Sequence, residues 1–103
     1  MLVDTEVVAF FCCAFRRQLL DEVGFLDEQF GRGFFEDDDY CRRVSGHGLR
    51  VAIAEDVFVH HHLSASFNEM DQEERSNLFD ENKRKFEKKW GAWAPHEYRN
   101  PDQ

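Results

Sequence analysis

Four consecutive acidic residues, Glu36 to Asp39, are the stretch of this 103-residue chain whose residue types and spacing point most directly to chemistry. Adjacent carboxylates repel one another and raise one another's pKa values unless a cation or a substrate balances them. Phe34, Phe35 and Tyr40 flank the run, and burial of these large rings draws the acids toward the edge of a cleft. A carboxylate held in that position has the character of a general base, which makes the run a candidate site.

A purely structural role for the acidic run is the alternative. A helix is predicted from Phe35 onward, and negative charge in its first turn suits the helix dipole, as do Arg42 and Arg43 toward its other end. Asp39 and Arg43 are four residues apart, in the order that favours an intrahelical ion pair. The dipole alone accounts for two or three of the acids, so residue chemistry leaves both interpretations open.

The histidine triplet His60 to His62 is a second candidate site. Alternation along a strand places His60 and His62 on one face and His61 on the other, so at most two of them reach one metal ion. A complete metal site needs further ligands, such as carboxylates of the acidic run or of another chain. Partly exposed histidines at a strand end are the structural alternative. Cys41 is a poor candidate nucleophile, because the surrounding carboxylates suppress its thiolate.

The composition indicates a single globular domain over residues 1–103. The net charge of -8 disfavours nucleic acids and anionic membrane surfaces as partners. No apolar run has the length of a membrane span, and the first residues lack the order of a secretory signal, so we expect a cytoplasmic protein. Three cysteines, two of them adjacent at Cys12 and Cys13, are predicted to be buried thiols and not a disulfide framework.

Strands are predicted in the first and middle parts of the chain. Residues 6–15 are apolar at both odd and even positions, which predicts a central strand covered on both faces. Residues 49–54 and 57–60 are predicted to form one or two short strands. Together these segments predict a small mixed sheet, and with the helices they give an α/β or α+β fold.

Three helices are predicted around that sheet. A short one over residues 16–23 stops at Gly24, and the second begins with the acidic run. The third covers residues 71–90, where Asp71 and Glu74 form a capping box and aromatic side chains recur along one side. We expect this long amphipathic helix to pack back onto the fold, followed by an extended tail over residues 91–103.

Several segments together resemble the C-terminal half of family 2 glycosyltransferases. The resemblance extends over about residues 8–67, and its strongest stretches are Phe15-Arg16-Arg17, Val23 to Phe30, Phe35 to Arg43 and Val59-His60-His61. The family pattern Glu-Asp-x-Asp-x-x-x-Arg falls on Glu36, Asp37, Asp39 and Arg43. The resemblance implies a GT-A fold, a nucleotide-sugar donor, a divalent metal (Mn or Mg) and inversion at the anomeric carbon.

The resemblance also implies a role for each matching residue of the acidic run. Asp37 would be the general base that deprotonates the acceptor hydroxyl as it attacks the sugar. Glu36 and Asp39 would position the acceptor or brace the helix, and Arg43 would pair with Asp39.

Substrate and metal contacts are implied in the same way. Gly33, Phe34 and Asp38 would line the acceptor side of the site. His60, with His62 as a further candidate, would approach the metal and the diphosphate.

The nucleotide-binding half of the family, which ends in an Asp-x-Asp metal motif, has no counterpart in this sequence. We therefore expect the acceptor-side portion of an inverting glycosyltransferase, without transfer activity on its own. Exposed apolar faces would then make it self-associate into a homo-oligomer. A non-catalytic metal-binding or protein-interaction module is the alternative. The donor sugar, its nucleotide and the hydroxyl acceptor are not specified by these residues.

Overall fold

A computed structural model describes residues 1–60 and 70–97 of the chain. Its elements, in chain order, are β1 (Leu2–Asp4), α1 (Gln18–Glu22), a single 3-10 turn (Glu28–Phe30), α2 (Glu36–Gly46), β2 (Ala52–Ala54) and α3 (Gln72–Trp90). The two strands pair antiparallel, with Val3 opposite Ile53. This part of the chain is therefore a small α+β structure of three α-helices and a two-stranded sheet. The coarse fold prediction is confirmed, but the sheet is antiparallel and not mixed.

The predicted central strand over residues 6–15 is wrong. The chain instead turns at residues 10–12. A strand requires a ladder partner, and the ladder of β1 ends where the Thr5 amide donates to the Val51 carbonyl at 3.0 Å. No further strand of the described residues pairs with the chain beyond that point. The predicted strand over residues 57–60 is also absent, because the Val57 amide donates to Ala54 in a turn.

The three predicted helices are confirmed, and the residues at their ends explain where they begin and stop. The Asp71 side chain accepts a hydrogen bond from the Glu74 amide at 2.7 Å, which is the N-cap bond of the predicted capping box. Helix α3 ends before Gly91, which has φ of 96°. Likewise α1 lies within its predicted range and is followed by Gly24 with φ of 93°. Among the described residues, no helix is long and apolar enough to cross a bilayer.

Aromatic rings form the core that fixes α2 against α3. Phe30, Phe35 and Phe86 are fully buried, and the rings around them are Phe34, Phe79, Trp90 and Trp93. The Phe35 ring lies 5.5 Å from Phe86 and 5.0 Å from Trp93, measured between centroids. The long helix therefore packs back through its aromatic face, as predicted, and the first part of the tail joins it.

The prediction of buried thiols is correct only for Cys41. Cys12 and Cys13 are both exposed. Cys12 lies in the turn at residues 10–12 and Cys13 directly follows it, and a turn is not covered on two faces as a central strand would be.

Candidate functional site

The loop that leads into α2 has an unusual backbone. Gly33, Phe34 and Phe35 all have positive φ angles, of 137°, 69° and 72°. A bulky residue in the left-handed region costs about 1–3 kcal/mol, so two successive phenylalanines there must be held by their surroundings. Such strain is characteristic of functional sites, and here it directly precedes the acidic run.

Asn82 of α3 holds this loop. The side chain is fully buried. Its Nδ2 group donates to the carbonyl oxygens of Phe30 at 2.7 Å and Phe34 at 3.2 Å, and also to that of Gly33. The sequence prediction gave Asn82 no role. An amide in the middle of an aromatic stripe was the available signal, because a buried amide must find partners.

Asp39 is separated from the other acids by complete burial. Its Oδ2 lies 3.2 Å from Arg43 Nε, and its Oδ1 lies 2.7 Å from both Lys89 Nζ and Trp90 Nε1. The predicted Asp39–Arg43 ion pair is confirmed. Lys89 and Trp90 of α3 are additional partners that the sequence prediction missed. Asp39 therefore ties α2 to α3.

Arg43 extends this network to the segment after α1. Its Nη2 donates to the Phe25 carbonyl at 2.8 Å, and its guanidinium lies 4.7 Å from the centre of the Tyr40 ring. The Tyr40 hydroxyl donates to the Gly24 carbonyl at 2.7 Å. One face of α2 thus fixes the chain around Gly24.

Glu36 and Asp37 lie half-buried in the first turn of α2. Burial raises the pKa of both carboxyls. The neighbouring charges of Asp37 and Asp38 raise the pKa of Glu36 further. For Asp37, hydrogen bonds from backbone amides, including those of Asp38 at 2.8 Å and Phe10, offset part of the effect of burial on its pKa. Both carboxyls are therefore stronger bases than solvated ones.

Asp38 has the most strongly shifted pKa of the run, raised to about 6. Burial is the largest cause, and the charge of Asp37 adds to it. Arg42, the Trp93 side chain and His96 act in the opposite direction.

The remaining predicted site residues are Gly33, Phe34, His60 and His62. Gly33 is buried and Phe34 is half-buried, and both lie in the strained loop beside the acids. His60 is exposed after β2, and His62 lies outside the described residues. Among residues 1–60 and 70–97, no group of three His, Cys, Asp or Glu side chains is arranged to hold a metal ion.

Comparisons of the chain with protein-family models, curated proteins and solved structures find no match. The acidic run is distinguished by its own geometry. In that geometry the half-buried carboxylates of Glu36, Asp37 and Asp38, all with raised pKa values, follow a strained loop. The fourth carboxylate, that of Asp39, is buried in an ion-pair network.

Proposed function

We propose that this chain is the acceptor-side portion of an inverting glycosyltransferase, with Asp37 as the general base. The observation that carries the proposal is the half-buried position of Asp37, whose pKa burial raises, at the start of a helix braced through Asp39. The resemblance to family 2 glycosyltransferases supplies the reaction class. The structure supplies a carboxylate with the properties of a base.

In the proposed reaction, an acceptor hydroxyl transfers its proton to Asp37 while its oxygen attacks the anomeric carbon of the donor sugar. The bond between that carbon and the nucleoside diphosphate breaks on the opposite face, so the configuration inverts. The raised pKa of Asp37 increases its proton affinity, which favours this transfer. A single displacement of this kind needs only one basic carboxylate.

The surrounding residues orient the base in this proposal. Asp39 is completely buried and therefore does not reach a substrate. Its ion pair with Arg43 stabilises the helix that carries Asp37. Gly33, Phe34 and Asp38 would line the acceptor side of the site. The conformation of the loop supports this role. Phe34 and Phe35 both have backbone angles in the left-handed region, and the buried contacts that hold them there make the loop rigid beside Asp37.

A nucleotide-sugar donor and Mn²⁺ or Mg²⁺ are further parts of the proposal. When bound, the metal would neutralise charge on the departing diphosphate. His60 and His62 are the candidates of this chain for contact with it. The described residues do not by themselves assemble a metal site. A cytoplasmic location and self-association remain predictions of the same proposal.

The proposal is tested by replacing Asp37 with Asn in a polypeptide that joins this chain to a nucleotide-binding half. Transfer from nucleotide sugars to hydroxyl acceptors should fall by about 10²–10⁴-fold, the usual contribution of a general base. The exposed Asp80→Asn change on α3 is the matched control and should leave the rate unchanged. Transfer by Asp37→Asn at the control rate, in a folded protein, would refute the assignment. The chain alone should show no transfer.

A further inference from the structure

A groove with a volume of about 800 Å³ lies between α1, the loop after it and the start of α2. Its walls are mainly apolar and include Phe10, Phe15, Leu20, Phe25, Leu26 and Phe30. Phe25 is 74% exposed and Phe15 is 54% exposed. Large apolar side chains left open around a cavity of this size are typical of a binding site for a small molecule.

The charged residues of the groove are all acidic. Asp27, Glu28 and Glu36 line it, and no Lys, Arg or His side chain is among the described residues that do. Asp27 is already paired with Lys89, at 3.0 Å. The groove therefore offers apolar contact together with an excess of negative charge.

Glu36 provides a specific acceptor within this groove. Its Oε2 atom is buried and accepts no hydrogen bond from the described residues. A buried acceptor without a donor costs free energy, and a donor in the groove recovers it when the Glu36 side chain turns to meet that donor. The unpaired Oε2 atom is thus a second observation, independent of the cavity, and it indicates a ligand with a hydrogen-bond donor.

We propose that this groove binds an apolar molecule carrying a primary amine, with Glu36 as the counter-ion of the ammonium group. An ammonium group donates charge-assisted hydrogen bonds, which are stronger than those of a neutral hydroxyl. A carboxylate ligand would meet only like charge. The inference goes beyond the proposed sugar transfer and does not depend on it, because it concerns binding to this chain alone.

Three probes with one skeleton test the proposal by calorimetry: 4-phenylbutylamine, 4-phenylbutan-1-ol and 4-phenylbutanoate. The amine should bind about tenfold more tightly than the alcohol, as one charge-assisted hydrogen bond implies, and the carboxylate should bind most weakly. Glu36→Gln should bring the amine to the affinity of the alcohol. Phe25→Ser should weaken both, because it removes an apolar wall.

Two matched variants control for loss of charge and of apolar surface elsewhere. Glu73→Gln lies on the exposed first turn of α3, and Phe58→Ser replaces a side chain that is 89% exposed and does not line the groove. Both should bind the amine as the unmodified chain does. In the unmodified chain, NMR titration with the amine should shift Glu36 and Phe25 most strongly, which tests the site without any substitution.

Several results would overturn the proposal. Equal affinity for the amine and the carboxylate would remove the charge argument, and an unchanged amine preference in folded Glu36→Gln would exclude Glu36. Absence of binding by all three probes would exclude the groove as a site for this class of ligand. The largest NMR shifts at residues outside the groove would do the same.

Discussion

Replacing Asp39 with Asn should destabilise the chain strongly, because one buried carboxylate balances two cations. Asp39 contacts Arg43 at 3.2 Å, Lys89 at 2.7 Å and the indole of Trp90 at 2.7 Å. Asn has the same shape and can still accept the indole hydrogen bond. The change removes the negative charge and also replaces the oxygen that accepts from Arg43 with an NH2 donor.

The size of the effect follows from the exposure of the partners. Removing one member of a buried ion pair costs about 3–5 kcal/mol. Here Asp39 is fully buried, but the side chains of Lys89 and Arg43 are 31% and 20% exposed, so water replaces part of the lost interaction. We expect Asp39→Asn to lower the free energy of unfolding by about 2–4 kcal/mol. A domain of this size has about 5–15 kcal/mol in total, so much of its stability would be lost.

Urea unfolding followed by tryptophan fluorescence measures this loss. The control is Glu81→Gln, which breaks the Glu81–Lys85 ion pair, also four residues apart but with side chains 58% and 33% exposed. That surface pair should contribute about 0.5 kcal/mol or less. If Asp39→Asn proves too unstable to measure, Lys89→Met should show a smaller loss in the same direction.

Similar midpoints for Asp39→Asn and Glu81→Gln would refute the reasoning. They would mean that Asp39 does not link α2 to α3 through its charge. A loss of unfolding free energy in Asp39→Asn but not in Glu81→Gln would support a structural role for Asp39. Glu36, Asp37 and Asp38 would then be the acids of the run that are available to a substrate.

Two further predictions concern stability. Asn82→Ala should lower the free energy of unfolding by about 2–4 kcal/mol, because the carbonyls of the loop lose their donor. The control Asn77→Ala, on the exposed face of α3, should change it little. Equal urea midpoints for the two variants would contradict the anchoring role of Asn82. Asp38 has a folded pKa of about 6 against 3.8 when unperturbed, so it destabilises the fold as pH rises through that window. Asp38→Asn should therefore be more stable than the unmodified chain at pH 7 and lose that advantage near about pH 4, and a constant difference in urea would contradict the shift.

Elements set by local chemistry were predictable from the sequence. The Asp71 N-cap of α3 and the charge order of α2 act within a few residues, so their sequence patterns are direct. The Asp39–Arg43 pair is of the same kind, since helical geometry brings residues four apart together.

Features that depend on distant partners were not predictable in the same way. The apolar pattern of residues 6–15 suits a central strand, but a strand forms only where a neighbour supplies its hydrogen bonds. The contacts of Asp39 with Lys89 and Trp90 join residues about fifty positions apart, so no local pattern signals them. Asn82 was recognisable only as a polar residue on an aromatic face, which indicates a partner without identifying it.

The most direct test of the central claim is rescue of an Asp37→Ala variant by azide, in a polypeptide that joins this chain to a nucleotide-binding half. Azide is an anionic nucleophile that needs no deprotonation. If Asp37 is the base, the variant should lose transfer to hydroxyl acceptors by about 10²-fold or more. Azide should then restore cleavage of the nucleotide sugar and give an inverted glycosyl azide. Undiminished transfer by folded Asp37→Ala, or no transfer by the unmodified polypeptide, would contradict the proposed function.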